Sequence, residues 1–256
     1  MWNQFNRIVK EGGAIVLTSA QPFTTFLINS NIKNFKYDLI WSKTLGSGQL
    51  NINTQPLRIH ETILVFSNGS KIATYNEIFG NGNVYSVNRN VNNNNGYGEQ
   101  KNLKIVNNGS RRAKSVINVS NPRITGGHPT QKPVELMEYL VKTYSNTGDT
   151  ILDCFMGSCT TGIACRSLNR NFIGIENDEE YFQKAKNRLD NFNPLRELRL
   201  SLDMNKSDFA RFLNCNYKTY TRYESNIVET PNTMKLIIRL LKFIISKNLL
   251  EDFKNS

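Results

Sequence analysis

Apolar runs and helical stripes alternate along the chain and set out most of its elements. Trp2–Lys10 carries apolar residues at helical spacing, Gly12-Gly13 interrupts it, and Ala14–Ser19 (AIVLTS) follows as a short apolar run. That succession predicts helix, turn and buried strand. Tyr37–Trp41 (YDLIW) and Glu61–Ser67 (ETILVFS) read as further strands, separated by a Gly- and Asn-containing loop from Gly46 to Asn53. From Pro133 onward Val134, Met137, Leu140, Val141 and Tyr144 share one helical face, and proline suits a first turn. A turn at Gly148-Asp149, a strand at Thr150–Leu152, a helix near Thr161–Leu168, a strand at Asn171–Ile175 and a helix at Glu179–Leu189 complete the series. Alternating helix and strand predicts an α/β fold with an open sheet of Rossmann type. Asn191-Phe-Asn-Pro194 breaks this part off, and an all-helical segment follows.

The stretch from Gly80 to Gly109, with Asn92-Asn93-Asn94-Asn95-Gly96 inside it, is too polar to bury much surface. It reads as a long surface loop, either an insertion or a basic loop ordered by nucleic acid. The net charge of the 256 residues is +11. Eight basic and two acidic residues lie between Ser67 and Gly127, and eleven basic and seven acidic between Leu195 and Ser256. Nearly all the excess is thus in two segments, which favours a polyanion, nucleic acid first, as partner. Arg111, Arg112 and Lys114 form the densest cluster. The four cysteines show no CxxC pair and only two histidines are present, so reduced thiols rather than a metal site are expected. The longest apolar stretch, Leu236–Ile245, is interrupted by Arg239 and Lys242, so no membrane span is expected. The first residues lack the apolar core of a signal peptide, which makes the cytoplasm the expected compartment.

One turn carries candidate chemistry. Leu152-Asp-Cys-Phe-Met-Gly-Ser-Cys-Thr-Thr-Gly162 ends a buried strand and opens a helix, and Glu176 closes the next strand. A carboxylate there can accept hydrogen bonds from a ribose diol, and glycine lets the backbone approach a ligand closely. A dinucleotide site would want GxGxxG; Cys159 occupies the middle position, and Glu176 follows sooner than the usual spacing of about 20 residues.

His128-Pro-Thr-Gln-Lys-Pro133, LDCFMGSCTTG and NRNFIGIENDEEY, with MWNQFNRIVKEGGAIVLTSAQPF and LRIHETILVF upstream, resemble the DNA amino-methyltransferases. The resemblance covers roughly residues 1–190, in the permuted order with target-base motifs before cofactor motifs and a variable part at about 67–125. It implies an S-adenosylmethionine-dependent enzyme that methylates the exocyclic amine of adenine, or less often cytosine, in duplex DNA, as in restriction-modification. Asp153, Phe155, Gly157 and Ser158 would then lie under the methionine part of the cofactor. Glu176 would hold the ribose, with Ile175 and Asn177 beside the adenine. Thr130 and Lys132, in the His128–Lys132 segment, would approach the amino-acid end; a solvated side chain at a helix start is the other reading of Lys132. Cys159 stands where the family generally has Gly. Its side chain would crowd the cofactor or demand an unfavourable backbone angle, so Cys159→Gly is expected to tighten cofactor binding. His60 and Glu61 would support either the target-base pocket or the core.

Such enzymes extrude the target base and need acceptors for its amine and an aromatic face against it. The family's Asp/Asn/Ser-Pro-Pro-aromatic tetrapeptide does not occur in the 256 residues; Gln21-Pro22-Phe23 and Asn121-Pro122-Arg123 are among the nearest imitators. By resemblance it would fall before Met1, so an N-terminally truncated chain is expected, with a separate polypeptide as one candidate carrier of the motif and no catalytic residue assigned. Leu195–Phe253 resembles the helix-turn-helix domain of phage repressors, a second, all-α domain over 195–256. Asn205 would cap its second helix, Phe209, Ala210, Leu213, Tyr220 and Tyr223 would be buried, and Lys206, Lys218, Thr219, Thr221 and Arg222 would meet DNA. Two rivals stay open: a non-catalytic DNA-binding regulator descended from a methyltransferase, and an NAD-dependent oxidoreductase.

Overall fold

The computed structural model describes residues 1–89, 103–121, 130–202, 204–225 and 230–246. The chain divides into two compact units: one joins Met1–Asn76 to Ser115–Phe243, and the other contains Glu77–Lys114.

The larger unit begins with α1 (Trp2–Ile8), β1 (Ala14–Ser19), α2 (Phe23–Ser30), β2 (Phe35–Ser47) and β3 (Arg58–Ser67). β3 runs antiparallel to both β1 and β2 at the centre of a four-stranded sheet. Its Ile63–Phe66 run is fully buried, as expected of a strand covered on both faces. β2 and β3 are longer than their apolar cores predict, because they continue as a polar, exposed hairpin closed by a turn at Gln49–Asn51.

The smaller unit contains β4 (Gly80–Asn81), β5 (Tyr85–Arg89), β6 (Leu103–Asn107) and β7 (Ser110–Arg111). β5 pairs with β6 and β4 with β7, both antiparallel, so much of the expected loop is short sheet. Alternating side chains in YSVNR and LKIVN supply the strand period, and Arg111 ties the unit together. The Asn92–Gly96 run lies outside the described residues.

Back in the larger unit, β8 (Val116–Asn118) adds to β2 in parallel at the sheet edge, and α3 (Val134–Tyr144) follows. β9 (Thr150–Asp153), α4 (Thr160–Ser167), β10 (Asn171–Gly174) and α5 (Glu179–Asp190) form the expected crossover, with β9 and β10 parallel. The sheet is therefore mixed rather than open and parallel, and β9–β10 stand as a separate pair. α3 joins the two. Leu136, Met137, Leu140 and Val141 pack in one core with Trp41, Ile63, Ala164 and Cys165, flanked by Val16 of β1 and Ile151 of β9. At its foot Tyr144 and Tyr37 meet oxygen to oxygen at 3.0 Å, and Asn76 bonds the Lys142 and Ser145 carbonyls. Lys10 reaches Asp149 at 3.9 Å, bringing the residues ahead of β1 and β9 together at that same end.

α6 (Pro194–Ser201), α7 (Lys206–Phe212), α8 (Tyr217–Glu224) and α9 (Asn232–Ser246) follow. Asn193, Asn205 and Asn216 cap the first three, each accepting backbone N–H bonds as the Asn side chain is suited to do. Phe209 of α7 meets Tyr220 of α8 edge-on at 5.5 Å, and Asn214 takes the left-handed conformation (φ 49°) in the turn between them. Buried Glu224 accepts from Arg199 at 2.7 Å and meets Lys206 at 3.0 Å.

Burial alone would raise the Glu224 carboxyl, but Arg199 and Lys206 together hold it below the ordinary glutamate range. A carboxyl depressed in the folded state stabilises above its unfolded value, and that stability goes as pH falls through the folded value. Glu224→Gln should therefore destabilise at pH 7 by about 3 kcal/mol, since a broken buried pair strands its partners. The penalty should shrink as pH falls from 7 through the folded value, which lies below the ordinary glutamate range; urea unfolding across that range measures it.

Candidate functional site

The carboxyl ends of β9 and β10 open side by side, the position at which parallel α/β sheets present ligand-binding loops. Asp153 closes β9. Its carboxylate accepts from the Phe155 amide at 3.1 Å and from Thr161 Oγ1 at 2.6 Å, bending the chain at once into α4. Gly157 takes φ 48°, which glycine adopts at little cost, and its N–H donates to Glu176 at 2.9 Å. Glu176 also accepts from the Asn177 and Asp178 amides at 3.0 and 3.1 Å. Three backbone donors thus lace this carboxylate to both loops. A carboxylate offers about four acceptor positions, so one stays available to a hydroxyl donor. Phe155 is 75% exposed and Ile175 52%, two apolar surfaces on the two loops.

Arg188 of α5 donates to the Ser158 carbonyl at 2.9 Å and to Thr160 Oγ1 at 3.2 Å, fixing the outer side of the turn. Met137 of α3 lies 3.7 Å from Thr161 Oγ1, so the first half of α3 stands against the Asp153 loop. Lys132, just ahead of α3, is not solvated. It meets Glu61 Oε2 at 2.9 Å, while Lys43 meets Oε1 of the same carboxylate at 2.7 Å. Both ammoniums lie over the Trp41 ring, at 5.8 and 5.3 Å from its centroid. Trp41 is 2% exposed and donates to the Val119 carbonyl at 2.9 Å. Burial would raise the Glu61 carboxyl; the two lysines hold it below its ordinary range.

Asp153, Phe155, Gly157, Ser158, Glu176 and Asn177 thus meet around one turn, and Lys132 stands on a second cluster with Glu61. Thr130 is exposed, and His128 lies outside the described residues. His60 is exposed. Sequence reasoning missed Lys43, Thr161 and Arg188, whose roles depend on distant partners that no local spacing signals. Cys159 sits at φ 61°, so the demand it makes is a backbone one. Its side chain does not crowd the crevice: the thiol is fully buried and points at Gly162, where an added Cβ would lie 2.4 Å from Sγ. Burial pushes that thiol up to about 11 and the Cys165 thiol up to about 12, so both stay protonated at neutral pH.

The basic candidates divide as well. In the smaller unit Arg111 is engaged by Asn107, the Asn83 carbonyl and the Tyr85 ring, and Arg112 pairs with Glu77. Lys114 is exposed. On α8, Lys218, Thr219 and Arg222 are exposed, while Thr221 is half-buried and bonds the Tyr217 carbonyl at 2.8 Å. Lys206 is committed to Glu224. Among the described residues no cluster of three His, Cys, Asp or Glu could hold a metal, and no helix is long and apolar enough to cross a membrane.

A family model described as DNA methylase matches residues 1–187. Type II methyltransferase M.HpaI of Haemophilus parainfluenzae is 51% identical over 63 residues, covering 25% of this chain and 20% of that protein. M1.MboII of Moraxella bovis is 43% identical over 76 residues, 30% of this chain and 28% of that protein. The matched segments span about a fifth to a third of these curated relatives. The crystal structure of an M1.HpyAVI–SAM complex superposes with a TM-score of 0.52 at 29% identity, covering 73% of this chain and 79% of that one. The PvuII DNA methyltransferase, a cytosine-N4-specific protein, gives 0.51 at 17% identity over 81% of this chain and 72% of its own, a likeness of fold.

Relief of the left-handed strain at position 159 is worth about 1 kcal/mol, close to the packing lost with a buried thiol. Cys159→Gly should thus leave stability nearly unchanged, whereas Cys159→Ala, which loses packing and keeps the strain, should cost about 1–2 kcal/mol. Urea denaturation of the two variants side by side checks the order.

Proposed function

Because the chain belongs to the DNA methylase family whose model it matches over residues 1–187, we propose that it binds S-adenosylmethionine at the β9–β10 crevice and serves methylation of a base amine in duplex DNA, adenine foremost. The observation that carries this reading is the laced Glu176 carboxylate, oriented by three amides with acceptor capacity to spare. The residues present suit the donor. Glu176 would accept from a ribose hydroxyl, Ile175 and Asn177 would flank the adenine, and Asp153, Phe155, Gly157 and Ser158 would line the turn beneath the methionine part. Lys132 would serve the carboxylate and Thr130 would lie near it. When bound, the donor supplies an electrophilic methyl group. What the chain's own residues do is orient it: Asp153 and Thr161 hold the turn, Arg188 braces it, and Met137 ties it to α3.

The acceptor side is less complete. No Pro-Pro-aromatic tetrapeptide occurs in the 256 residues, and among the described residues β1 pairs only with β3 and β9 only with β10. Two strand edges flanking one shared core are suited to receive a further strand, since unpaired backbone groups there seek partners. In this reading a segment outside these residues, or a separate polypeptide, supplies that strand and the base-holding motif. The segment 195–256 is a helix-turn-helix domain that presents α8 to the major groove, supported by the α7–α8 packing and exposed Lys218, Thr219 and Arg222. Arg111, Arg112 and Lys114 form an auxiliary basic patch of the variable part. The missing motif equally favours a DNA-binding regulator that keeps the cofactor site without transfer.

Calorimetry should detect S-adenosylmethionine binding in the full chain, and Glu176→Gln should weaken it at least tenfold, about 1.4 kcal/mol. NAD should not compete; its competing would return the oxidoreductase reading. The isolated chain should incorporate little or no labelled methyl into DNA, and robust incorporation would show that the missing motif is dispensable. Lys218→Ala and Arg222→Ala should each weaken DNA binding and lower the slope of log affinity against log salt by about one. Unchanged slopes would remove α8 from the interface.

A further inference from the structure

The Lys43–Glu61–Lys132 cluster contains two ammonium groups and one carboxylate, on side chains only 9%, 19% and 22% exposed respectively. It carries one uncompensated positive charge in a place largely withdrawn from water, where an anion is favoured as the completing partner. The two lysines are not equivalent. Lys43 extends from β2 along the Trp41 ring and is the more enclosed, directly beside the Trp41–Glu61 cross-strand pair. Lys132 sits on the segment entering α3, five residues before the methionine that touches Thr161 at the Asp153 loop. It is the cation that can turn toward a ligand at that loop. His60, the nearest other titratable group on β3, is exposed.

We propose that Glu61 and Lys43 form an electrostatic latch that holds Lys132 in reserve, and that binding of the donor's α-carboxylate transfers Lys132 from Glu61 to that carboxylate. The latch rests on the donor site proposed above. Before transfer, one carboxylate serves two ammoniums; afterwards Glu61 keeps Lys43, Lys132 holds the incoming carboxylate, and each charge of the cluster has one partner. Glu61 is a positioning residue in this scheme: it touches Lys132, not the donor. Because Glu61 also lies on the strand that pairs with β1 and β2, the latch ties occupancy of the cofactor side to the sheet on the other side of α3.

The test compares two ligands of the 256-residue chain by calorimetry: S-adenosylmethionine, and 5′-methylthioadenosine, a neutral thioether that keeps the adenosine but lacks the amino-acid arm with its carboxylate. Glu61→Gln frees Lys132 and should tighten S-adenosylmethionine about fivefold while leaving methylthioadenosine within about twofold. Lys43→Met leaves Lys132 as the sole partner of Glu61 and should weaken S-adenosylmethionine about fivefold, again with methylthioadenosine unchanged. Lys132→Met should abolish the preference for the carboxylate-bearing ligand. Thermal melts establish folding, and if Glu61→Gln does not fold, the Lys43→Met and Lys132→Met pair carries the comparison. Equal changes for both ligands, or weaker S-adenosylmethionine binding by Glu61→Gln, would overturn the latch and leave the donor site standing. A wild-type chain that binds neither ligand would overturn the donor site and the latch with it.

Discussion

Helix α3 packs two separately bonded sheets into one core, and the rest of the larger unit takes its geometry from that contact. Leu136, Met137, Leu140 and Val141 occupy one face, touching residues from the four-stranded sheet on one side and from the β9–α4–β10 crossover on the other. Neither sheet bonds to the other among the described residues, so apolar burial along this helix, at roughly 25 cal/mol per Å², does the joining that a backbone ladder does elsewhere. The direction of α3 then fixes what meets at each end. Its foot binds Tyr37 and Asn76; its head places Lys132 beside Glu61 and Met137 beside Thr161.

Three glutamates use one device at different points. Glu176 collects backbone amides, Glu61 two lysines, and Glu224 an arginine and a lysine. Each is at least partly withdrawn from water and answered by more than one donor, the condition under which a carboxylate charge is tolerated away from solvent. The partners differ, and so do the consequences. Amides cannot leave, so Glu176 is a fixed element of the crevice. Arg199 and Lys206 lie within one helical cluster, so Glu224 serves its packing. Glu61 alone draws a partner from a segment that borders the crevice, which makes it the one suited to change state.

The elements were legible where periodicity is strong. The helical stripe after Pro133 and the apolar run ending at Ser67 fall where their spacing places them, because burial dominates at those positions. The Gly80–Gly109 stretch was misread because its composition is polar while its strands are short and held by Arg111, whose partners lie up to 28 residues away. The candidate turn was legible as a group, since Asp153 to Asn177 form a single crossover. Lys43 was not: its meaning comes from pairing across β2 and β3, a register that sequence spacing does not reveal. Cys159 could be marked from the resemblance as an anomaly, but only the coordinates assign its anomaly to the backbone and its thiol to the core.

The division of basic residues has a bearing on how such a chain could engage a polyanion. Arg111 and Lys206 share their charge with internal partners, and charge engaged in this way contributes less to phosphate neutralisation, whereas Arg112 keeps its side chain 81% exposed beside Glu77. Lys218 and Arg222 are exposed on a short helix whose opposite side is anchored by Tyr220 and Glu224. A helix fixed on one side and cationic on the other suits a groove better than a dense cluster in a sequence does. Net charge therefore favours the proposed class of partner for reasons that only partly coincide with the residues left exposed. The count is a property of the chain, whereas the interface is what remains after the fold has taken its share.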